Sequence, residues 1–220
     1  MPVLLRDDRA VLFIHIPKTG GSSFERDMEN LGWREVFSIR GTPVSRLKFI
    51  KASPQHFSAE LMEGLFNFEE FSSVVAITRD PFDRLKSAFY WHFRNQVARF
   101  PPDVTTWIQE TLSATRHNPY HLDNHIRPQV DFLPRGVDSQ LFKLEEDGVR
   151  QAQIAVCGKY EKPPKKLMHL FRIRNKEREK VSKYDPDIEA AFSSQRFIIA
   201  DFYAADYARF GYDPAGSSKA

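Results

Sequence analysis

The sequence predicts a single α/β domain in which a mostly parallel central sheet is flanked by helices on both faces. Two strand–turn–helix patterns, at residues 11–24 and 73–90, favour this class, because a helix after each strand is typical of parallel sheets. The 220 residues are 41% hydrophobic and 13% aromatic, which is sufficient for one well-filled core. No repeat, linker or change of composition divides the chain. We therefore expect one domain over residues 1–220, with a disordered tail from about residue 215.

The first pattern begins with a short apolar segment. Residues 11–14, with the sequence VLFI, form a nearly continuous hydrophobic run that precedes Pro and Gly residues. Such a run is typical of a strand that is buried on both faces of a sheet. Helix-forming residues with apolar side chains at regular intervals follow over residues 24–31. They predict a helix that begins near Gly21 or Ser22.

The turn between this strand and helix has the properties of an anion site. The N-terminus of a helix presents free backbone N–H groups and the positive end of the helix dipole. Lys18 adds a full positive charge, and hydroxyl donors come from Thr19, Ser22 and Ser23. The loop is not the ATP-binding type, because Lys18 precedes Gly20 and Gly21 instead of following the second glycine. An ordinary turn with an incidental lysine is the alternative for this loop alone.

The second pattern predicts another group of anion-binding side chains. Residues 74–77, with the sequence VVAI, resemble a short buried strand, and Pro81 can open the next helix at its first turn. Arg79 follows the strand directly. Arg84 and Ser87 are three residues apart on the helix and therefore share one face. We expect these side chains to form a second anion site.

The two motifs together resemble those of the sulfotransferases. HIPKTGGSS is similar to their 5′-phosphosulfate loop, and TRDPFDRLKSAFY is similar to the element that holds the 3′-phosphate of 3′-phosphoadenosine 5′-phosphosulfate (PAPS). The loop looks most like the carbohydrate branch, which contains the heparan and chondroitin sulfotransferases. The resemblance implies a P-loop-like three-layer fold, PAPS as donor, and release of 3′-phosphoadenosine 5′-phosphate. The cofactor contacts it implies are Pro17, Lys18, Thr19, Gly20, Gly21, Ser22, Ser23, Arg79, Arg84 and Ser87.

The resemblance also implies a catalytic base. Transfer to a hydroxyl requires removal of its proton, and imidazole has a pKa suited to that step near neutral pH. Relatives in the carbohydrate branch carry a histidine between the two motifs, and SPQHFSAEL looks like that segment, which makes His56 the expected base. Glu25 is the rival, because some sulfotransferases use a glutamate after the loop. Its alternative role is to complement the helix dipole. Lys18 is expected to neutralise the leaving nucleotide.

Residues 118–134 are expected to lie near the acceptor. The segment is polar and contains several prolines, so it is predicted to be an extended surface loop. HIRPQVDFL resembles a stretch that recurs in the carbohydrate branch. His125 and Arg127 could hold a sugar hydroxyl or acid group, or belong to an ordinary solvated loop. Trp91 and His92 either line the acceptor cleft or pack in the core.

Residues 159–183 form the most basic part of the chain. Sulfotransferases place a basic loop over the 3′-phosphate near their C-terminus, which makes Arg174 and Lys176 the candidates here. A nucleic-acid site is the alternative interpretation. The net charge of only +3 and the lack of a recognisable module argue against it, so no nucleic-acid partner is expected.

The remaining secondary structure follows from shorter patterns. Each predicted helix has a start signal or regular apolar spacing, and each predicted strand is a short segment of strand-like composition. Strands are expected at residues 33–39, 140–144 and 153–156, with helices at residues 58–65 and 104–112. Residues 186–212 are expected to form one or two helices. Residues 196–203, with the sequence RFIIADFY, could instead form a strand, but the resemblance to the family favours a helix.

Several kinds of site and location are not expected. The single cysteine, Cys157, allows no internal disulfide and is expected to be a core residue rather than a nucleophile. The seven histidines show no metal-ligand spacing, so no metal site is predicted. The first ten residues resemble neither a signal peptide nor a membrane anchor, which favours a cytoplasmic, bacterial protein.

Two other functions remain open at this point. The first is a nucleotide or small-molecule kinase that uses the same loop with ATP and Mg²⁺. The position of Lys18 argues against it, as does the lack of a clear Mg²⁺-binding hydroxyl after this lysine. The second is a non-catalytic protein that binds a sulfated or phosphorylated partner.

Overall fold

A five-stranded sheet forms the centre of the molecule. The computed structural model describes residues 2–39, 42, 47, 49–93, 103–162 and 185–216. Within them the strands are β1 (Val3–Arg6), β2 (Arg9–Ile14), β3 (Arg34–Val36), β4 (Ser73–Thr78) and β5 (Ser139–Lys143), in the order β3-β1-β2-β4-β5. The pairings β2–β4 and β4–β5 are parallel, whereas β1 is antiparallel to both of its neighbours. All strands except β1 therefore run in one direction, which confirms the predicted α/β class.

Helices connect and cover these strands. They are α1 (Gly21–Asn30), α2 (Ala59–Glu63), α3 (Pro81–Phe93), α4 (Val104–His117), α5 (Gly148–Cys157), α6 (Pro186–Ser194), α7 (Arg196–Phe202) and α8 (Ala204–Phe210). The helices predicted after the two motifs are present. The strand predicted at residues 153–156 is wrong, because these residues belong to α5. A four-residue apolar run does not distinguish a strand from one face of a helix. Strand β1 was not predicted.

The sheet is buried on both faces. Phe13 packs with side chains of α1 and α5 on one face, whereas Leu12 and Ile14 pack with Met62 of α2 and with Phe132 on the other. The three β2 side chains are fully buried. Burial of each contributes roughly 1.5–3 kcal/mol. This two-sided burial explains why residues 11–14 are a continuous apolar run rather than an alternating one.

A third hydrophobic cluster lies among the helices. It joins Phe89 of α3 and Ile108 of α4 to Phe192 of α6 and Ile199 of α7. Tyr203, between α7 and α8, is fully buried in the same cluster. The helical prediction for residues 186–212 is therefore confirmed, as three short helices.

The carboxyl ends of the parallel strands place the sequence motifs at one edge. His15 directly follows β2 and Arg79 directly follows β4. In α/β sheets ligands bind at this edge. Among the described residues, no helix combines the length and apolar character needed to span a membrane. Arg174, Lys176 and residues 217–220 of the predicted tail lie outside the described residues.

Candidate active site

The loop between β2 and α1 has two positions with no room for a side chain. Gly20 has a φ of 92°, and a Cβ atom there would lie 2.9 Å from Leu144 Cδ1. A Cβ atom on Gly21 would lie 2.6 Å from Cδ2 and Nε2 of His15. Glycine is therefore required at both positions if the loop is to keep this conformation.

The start of α1 is suited to an anion. No side chain caps the helix at Gly20. The first N–H groups of a helix have no acceptor within it, and the helix dipole adds positive potential there. The Thr19 hydroxyl is buried and donates to the Ile16 carbonyl at 2.9 Å, so it shapes the loop. Ser22 and Ser23 are exposed on the first turn, whereas Pro17 is buried.

A direct contact joins the two sequence motifs. Arg79 Nη1 donates to the Lys18 carbonyl at 3.2 Å, across 61 residues of sequence. Gln129 fixes the backbone of Arg79 from the other side, because its amide accepts from Arg79 N at 3.0 Å and donates to Arg79 O at 2.8 Å. The Lys18 amino group lies 5.4 Å from the ring centroid of Trp91. Two cations are thus placed beside the N-terminus of α1.

Arg84 has a different role from the one predicted. Its side chain is fully buried, and Nη1 donates to the carbonyl of His125 at 3.0 Å. Nη2 donates to the carbonyls of Ile126 and Arg127 at 3.4 and 2.6 Å. The guanidinium therefore holds the backbone of residues 125–127 instead of facing a phosphate. Ser87, one turn further along α3, is partly buried.

These contacts show that the prediction of a surface loop at residues 118–134 is wrong. Asn124, Ile126 and Gln129 are fully buried, and His125 and Arg127 are at most 9% exposed. The Asp206 carboxylate of α8 accepts the N–H groups of Gln129 and Val130 at 2.9 and 3.0 Å. Side chains from distant helices thus satisfy the polar backbone of this segment, which allows it to be buried.

Arg127 keeps one buried donor available. Its Nε donates to Asp131 Oδ2 at 3.1 Å. Its Nη1 is buried and has no hydrogen-bond partner among the described residues. A buried guanidinium N–H without a partner is rare, and a ligand oxygen could satisfy it.

His56 and Asp123 form a hydrogen-bonded pair. His56 Nδ1 lies 2.8 Å from Asp123 Oδ2, and the side chain of His56 is 13% exposed. Ser53 holds the carboxylate in place, because its N–H donates to Asp123 Oδ1 at 2.6 Å and its hydroxyl donates to Oδ2 at 2.8 Å. Asp123 has a φ of 57°, and this left-handed conformation is part of the turn that carries it.

The surroundings hold this pair in a defined charge state. Burial lowers the pKa of His56, although the hydrogen bond that its Nδ1 donates to Asp123 opposes the shift. Burial raises the pKa of the Asp123 carboxyl. The hydrogen bonds that this carboxylate accepts from His56 and Ser53 outweigh burial and lower the pKa to about 2. A neutral imidazole beside a carboxylate donates from Nδ1 and keeps a lone pair on Nε2. His56 is therefore prepared to accept a proton.

Four rings form a continuous row through the site. The centroids of His15 and His56 are 5.2 Å apart, and those of His56 and His125 are 4.9 Å apart, with edge-to-face geometry in both pairs. Trp91 stacks on His125 at 4.6 Å. The row runs from the end of β2 to α3 and fixes His56 between two other histidines.

Glu25 contacts His15, the first ring of this row. Its carboxylate is hydrogen-bonded to His15 Nδ1, and the two side chains are 1% and 6% exposed. A general base must reach the proton that it removes. Burial at this level and the bond to His15 favour His56 over Glu25 as the base.

A family comparison agrees with this geometry. The model described as the sulfotransferase family matches residues 2–213. The chain belongs to the sulfotransferase family. Searches of curated proteins and of solved structures return no match.

Two residues of this sulfotransferase site were not identified from the sequence. His15 was quoted only as part of its loop motif, although its place directly after a buried strand is a usable signal. Asp123 gave no signal, because its partner His56 is 67 residues away. The residues Lys18, Arg79, His56 and His125 were predicted, and the structure brings them together around the row of rings.

The site also contains a group of possible metal ligands. One ligand atom each from His56, Asp123 and His125 lies within 4.8 Å of the others. The sequence spacing did not indicate this cluster. Both Asp123 oxygens already accept hydrogen bonds from Ser53, and one also bonds His56. In this sulfotransferase the contacts of the cluster therefore orient the ring of His56.

Proposed function

We propose that this sulfotransferase moves a sulfuryl group from PAPS to a hydroxyl of a carbohydrate, with His56 as general base. The observation that carries the proposal is the His56–Asp123 pair, oriented by Ser53 and placed in a row of rings that reaches the Lys18 loop. The proposed base and the proposed anion site lie at the same edge of the sheet. Both are needed for transfer to a hydroxyl.

The residues at the loop fit a donor with several negative charges. The uncapped start of α1 offers N–H groups, and Lys18 and Arg79 add two positive charges beside it. Glycine at positions 20 and 21 allows the loop to keep this conformation, which a side chain at either position would disturb. A nucleotide with a 5′-phosphosulfate and a 3′-phosphate matches this charge. Arg79 and Ser87 are the proposed contacts of the 3′-phosphate, together with Arg174 and Lys176 from the basic segment.

The chemistry assigned to the chain is positioning and charge stabilisation. Sulfuryl transfer resembles phosphoryl transfer in that the group passes in line between two oxygens. Lys18 stabilises negative charge that develops on the leaving nucleotide. His56 Nε2 takes the proton of the attacking hydroxyl as the new oxygen–sulfur bond forms. Asp123 stabilises the resulting imidazolium through Nδ1.

A carbohydrate acceptor agrees with the polar groups of residues 125–127. The ring of His125 lies beside His56, and the Nη1 donor of Arg127 is buried without a partner among the described residues. Sugar hydroxyl and acid groups offer the oxygens that such donors bind. The resemblance of the loop and of HIRPQVDFL to the carbohydrate branch supports the same class.

Calorimetric titration with 3′-phosphoadenosine 5′-phosphate tests the donor, with ATP–Mg²⁺ as the parallel ligand. We expect tight binding of the bisphosphate, little binding of ATP, and a large loss of bisphosphate affinity in Lys18→Ala. Transfer of labelled sulfate from PAPS to a panel of oligosaccharides and simple alcohols then tests the acceptor. Binding of ATP without binding of the bisphosphate would overturn the proposal in favour of a kinase.

A further inference from the structure

The buried His15–Glu25 pair has no place in the steps described above. His15 Nδ1 is hydrogen-bonded to the Glu25 carboxylate, and both side chains are almost completely buried. An ionisable group at this depth is costly unless it is paired. The two side chains therefore act as one unit, anchored at the end of β2 and in α1.

This pair contacts both functional parts of the site. The ring of His15 packs so closely on Gly21 that a Cβ atom there would lie 2.6 Å from it. The same ring meets His56 edge to face, with centroids 5.2 Å apart and an angle of 84° between the planes. His15 thus links the start of α1, where the donor phosphate is proposed to bind, to the proposed base.

We propose that His15 and Glu25 are positioning residues that fix the ring of His56 relative to the loop between β2 and α1. This inference rests on the proposed role of His56 as general base. Neither residue is assigned contact with the reacting atoms. Glu25 fixes the orientation of His15, and His15 in turn limits the rotation of the His56 ring that it contacts.

The pair also acts on the charge of His56. Among the described residues, the titratable groups that contact the ring of His56 are the carboxylate of Asp123 and the rings of His15 and His125, and Lys18 lies beyond Trp91 at the end of the row. Burial lowers the pKa of His56, the hydrogen bond to Asp123 raises it, and the neighbouring His15 lowers it further. Removing the ring of His15 therefore moves the pKa of His56 upward.

Three variants separate positioning from a merely structural role. Glu25→Ala frees the ring of His15, Glu25→Gln keeps its hydrogen-bond partner, and His15→Asn removes the ring. Glu189→Gln is the matched control, because Glu189 is a partly buried acid paired with Lys86 at 2.9 Å outside this site. Each variant is characterised by kcat and KM, bisphosphate titration, thermal unfolding and NMR titration of the histidine rings.

We expect Glu25→Ala to lower kcat by about 10²-fold while the bisphosphate Kd changes by less than about threefold. Glu25→Gln should recover at least about tenfold of that loss. In His15→Asn the pKa of His56, measured by NMR, should rise, and the acid limb of kcat/KM should move with it. The control should leave all these quantities unchanged.

The inference is overturned if the His56 titration is the same in wild type and in His15→Asn. It is also overturned if Glu25→Ala weakens bisphosphate binding as much as turnover. The NMR titration needs no sulfate transfer and remains decisive if Glu25→Ala does not fold. A protein that shows the coupling but transfers no sulfate refutes the proposed function and leaves the coupling standing.

Discussion

His56 Nδ1 lies 2.8 Å from Asp123 Oδ2, although 67 residues separate them in the chain. The contact forms because Arg84 holds the backbone of residues 125–127, next to Asp123, with three hydrogen bonds. Ser53, three residues before His56, binds the same carboxylate. His56, the proposed base, and Asp123 are thus each held by the residues around them. This arrangement is the preorganisation that proton transfer requires.

Replacing the proposed base should stop turnover but leave binding of the sulfuryl donor intact. We expect His56→Ala to lower kcat by roughly 10²–10⁴-fold, because the acceptor hydroxyl loses its proton acceptor. Bisphosphate affinity should stay nearly constant, since the loop and Arg79 are unchanged. Steady-state kinetics and calorimetry measure the two quantities. His117→Ala, at an exposed histidine of α4, is the control. Normal turnover in His56→Ala would rule out this base.

The charge of Asp123 should set the pH dependence. Asp123→Asn removes the carboxylate that raises the pKa of His56, so this pKa should fall further. The acid limb of kcat/KM should move to lower pH, and kcat should fall by about 10²-fold or more because the tautomer is no longer fixed. Full pH profiles of both proteins test this. Asp201→Asn, in an exposed pair with Arg116, should change neither quantity. An unshifted acid limb would contradict the pairing.

Local sequence predicted the parts of this site that depend on neighbouring residues. The β2–α1 and β4–α3 units were identified because each combines an apolar run, a turn and a helix start within about twenty residues. The burial of residues 118–134 could not be predicted in this way. It depends on Arg84, Tyr203 and Asp206, which are 41 to 77 residues away along the chain. The partner of His56 was missed for the same reason.

Buried histidines should make the fold sensitive to mild acid. Burial lowers the pKa of His125 well below its ordinary value of 6.5 and also lowers that of His56. Below about pH 6.5 the unfolded chain therefore binds protons that the folded chain does not, and the free energy of unfolding falls as pH falls. Each such histidine contributes up to about 1.4 kcal/mol per pH unit.

Urea unfolding of wild type and His125→Gln between pH 5 and 8 tests this sensitivity. We expect stability to increase with pH in wild type and a weaker increase in the variant. The two curves should differ most at the acid end. Parallel curves would show that His125 is not held neutral in the folded state.

Replacing Arg84 should mainly lower the stability of the fold, whereas replacing Arg79 should mainly weaken bisphosphate binding. Arg84→Met leaves three carbonyls without their buried donor and should lower the free energy of unfolding by about 3–5 kcal/mol. Arg79→Ala should leave stability almost unchanged. It should weaken bisphosphate binding by about 10–100-fold, which corresponds to the loss of one charge-assisted contact.

Chemical denaturation and calorimetry on both variants measure this contrast. Arg116→Met is the control for Arg84, because this exposed arginine forms a surface pair with Asp201 and lies over the ring of Phe202. Its effect should be below about 1 kcal/mol. Arg84→Met with normal stability and lost bisphosphate binding would restore the role first predicted for Arg84.

Gly21, at the start of α1, should be highly sensitive to substitution. A methyl group there meets the ring of His15 at 2.6 Å, and that ring is held by Glu25 in the core. Either the loop or the ring must move. We expect Gly21→Ala to weaken bisphosphate binding by at least about tenfold and to lower kcat as well, because His15 also contacts His56.

Gly64→Ala provides the matched control for this substitution. A Cβ atom at Gly64 has its nearest neighbour 3.7 Å away, and its φ of −80° suits any residue. Bisphosphate titration, kcat and thermal unfolding are measured on both variants. Because Gly64 lies outside the site, its variant should match wild type in all three. If Gly21→Ala also matches wild type, the close packing of loop, His15 and base does not limit function.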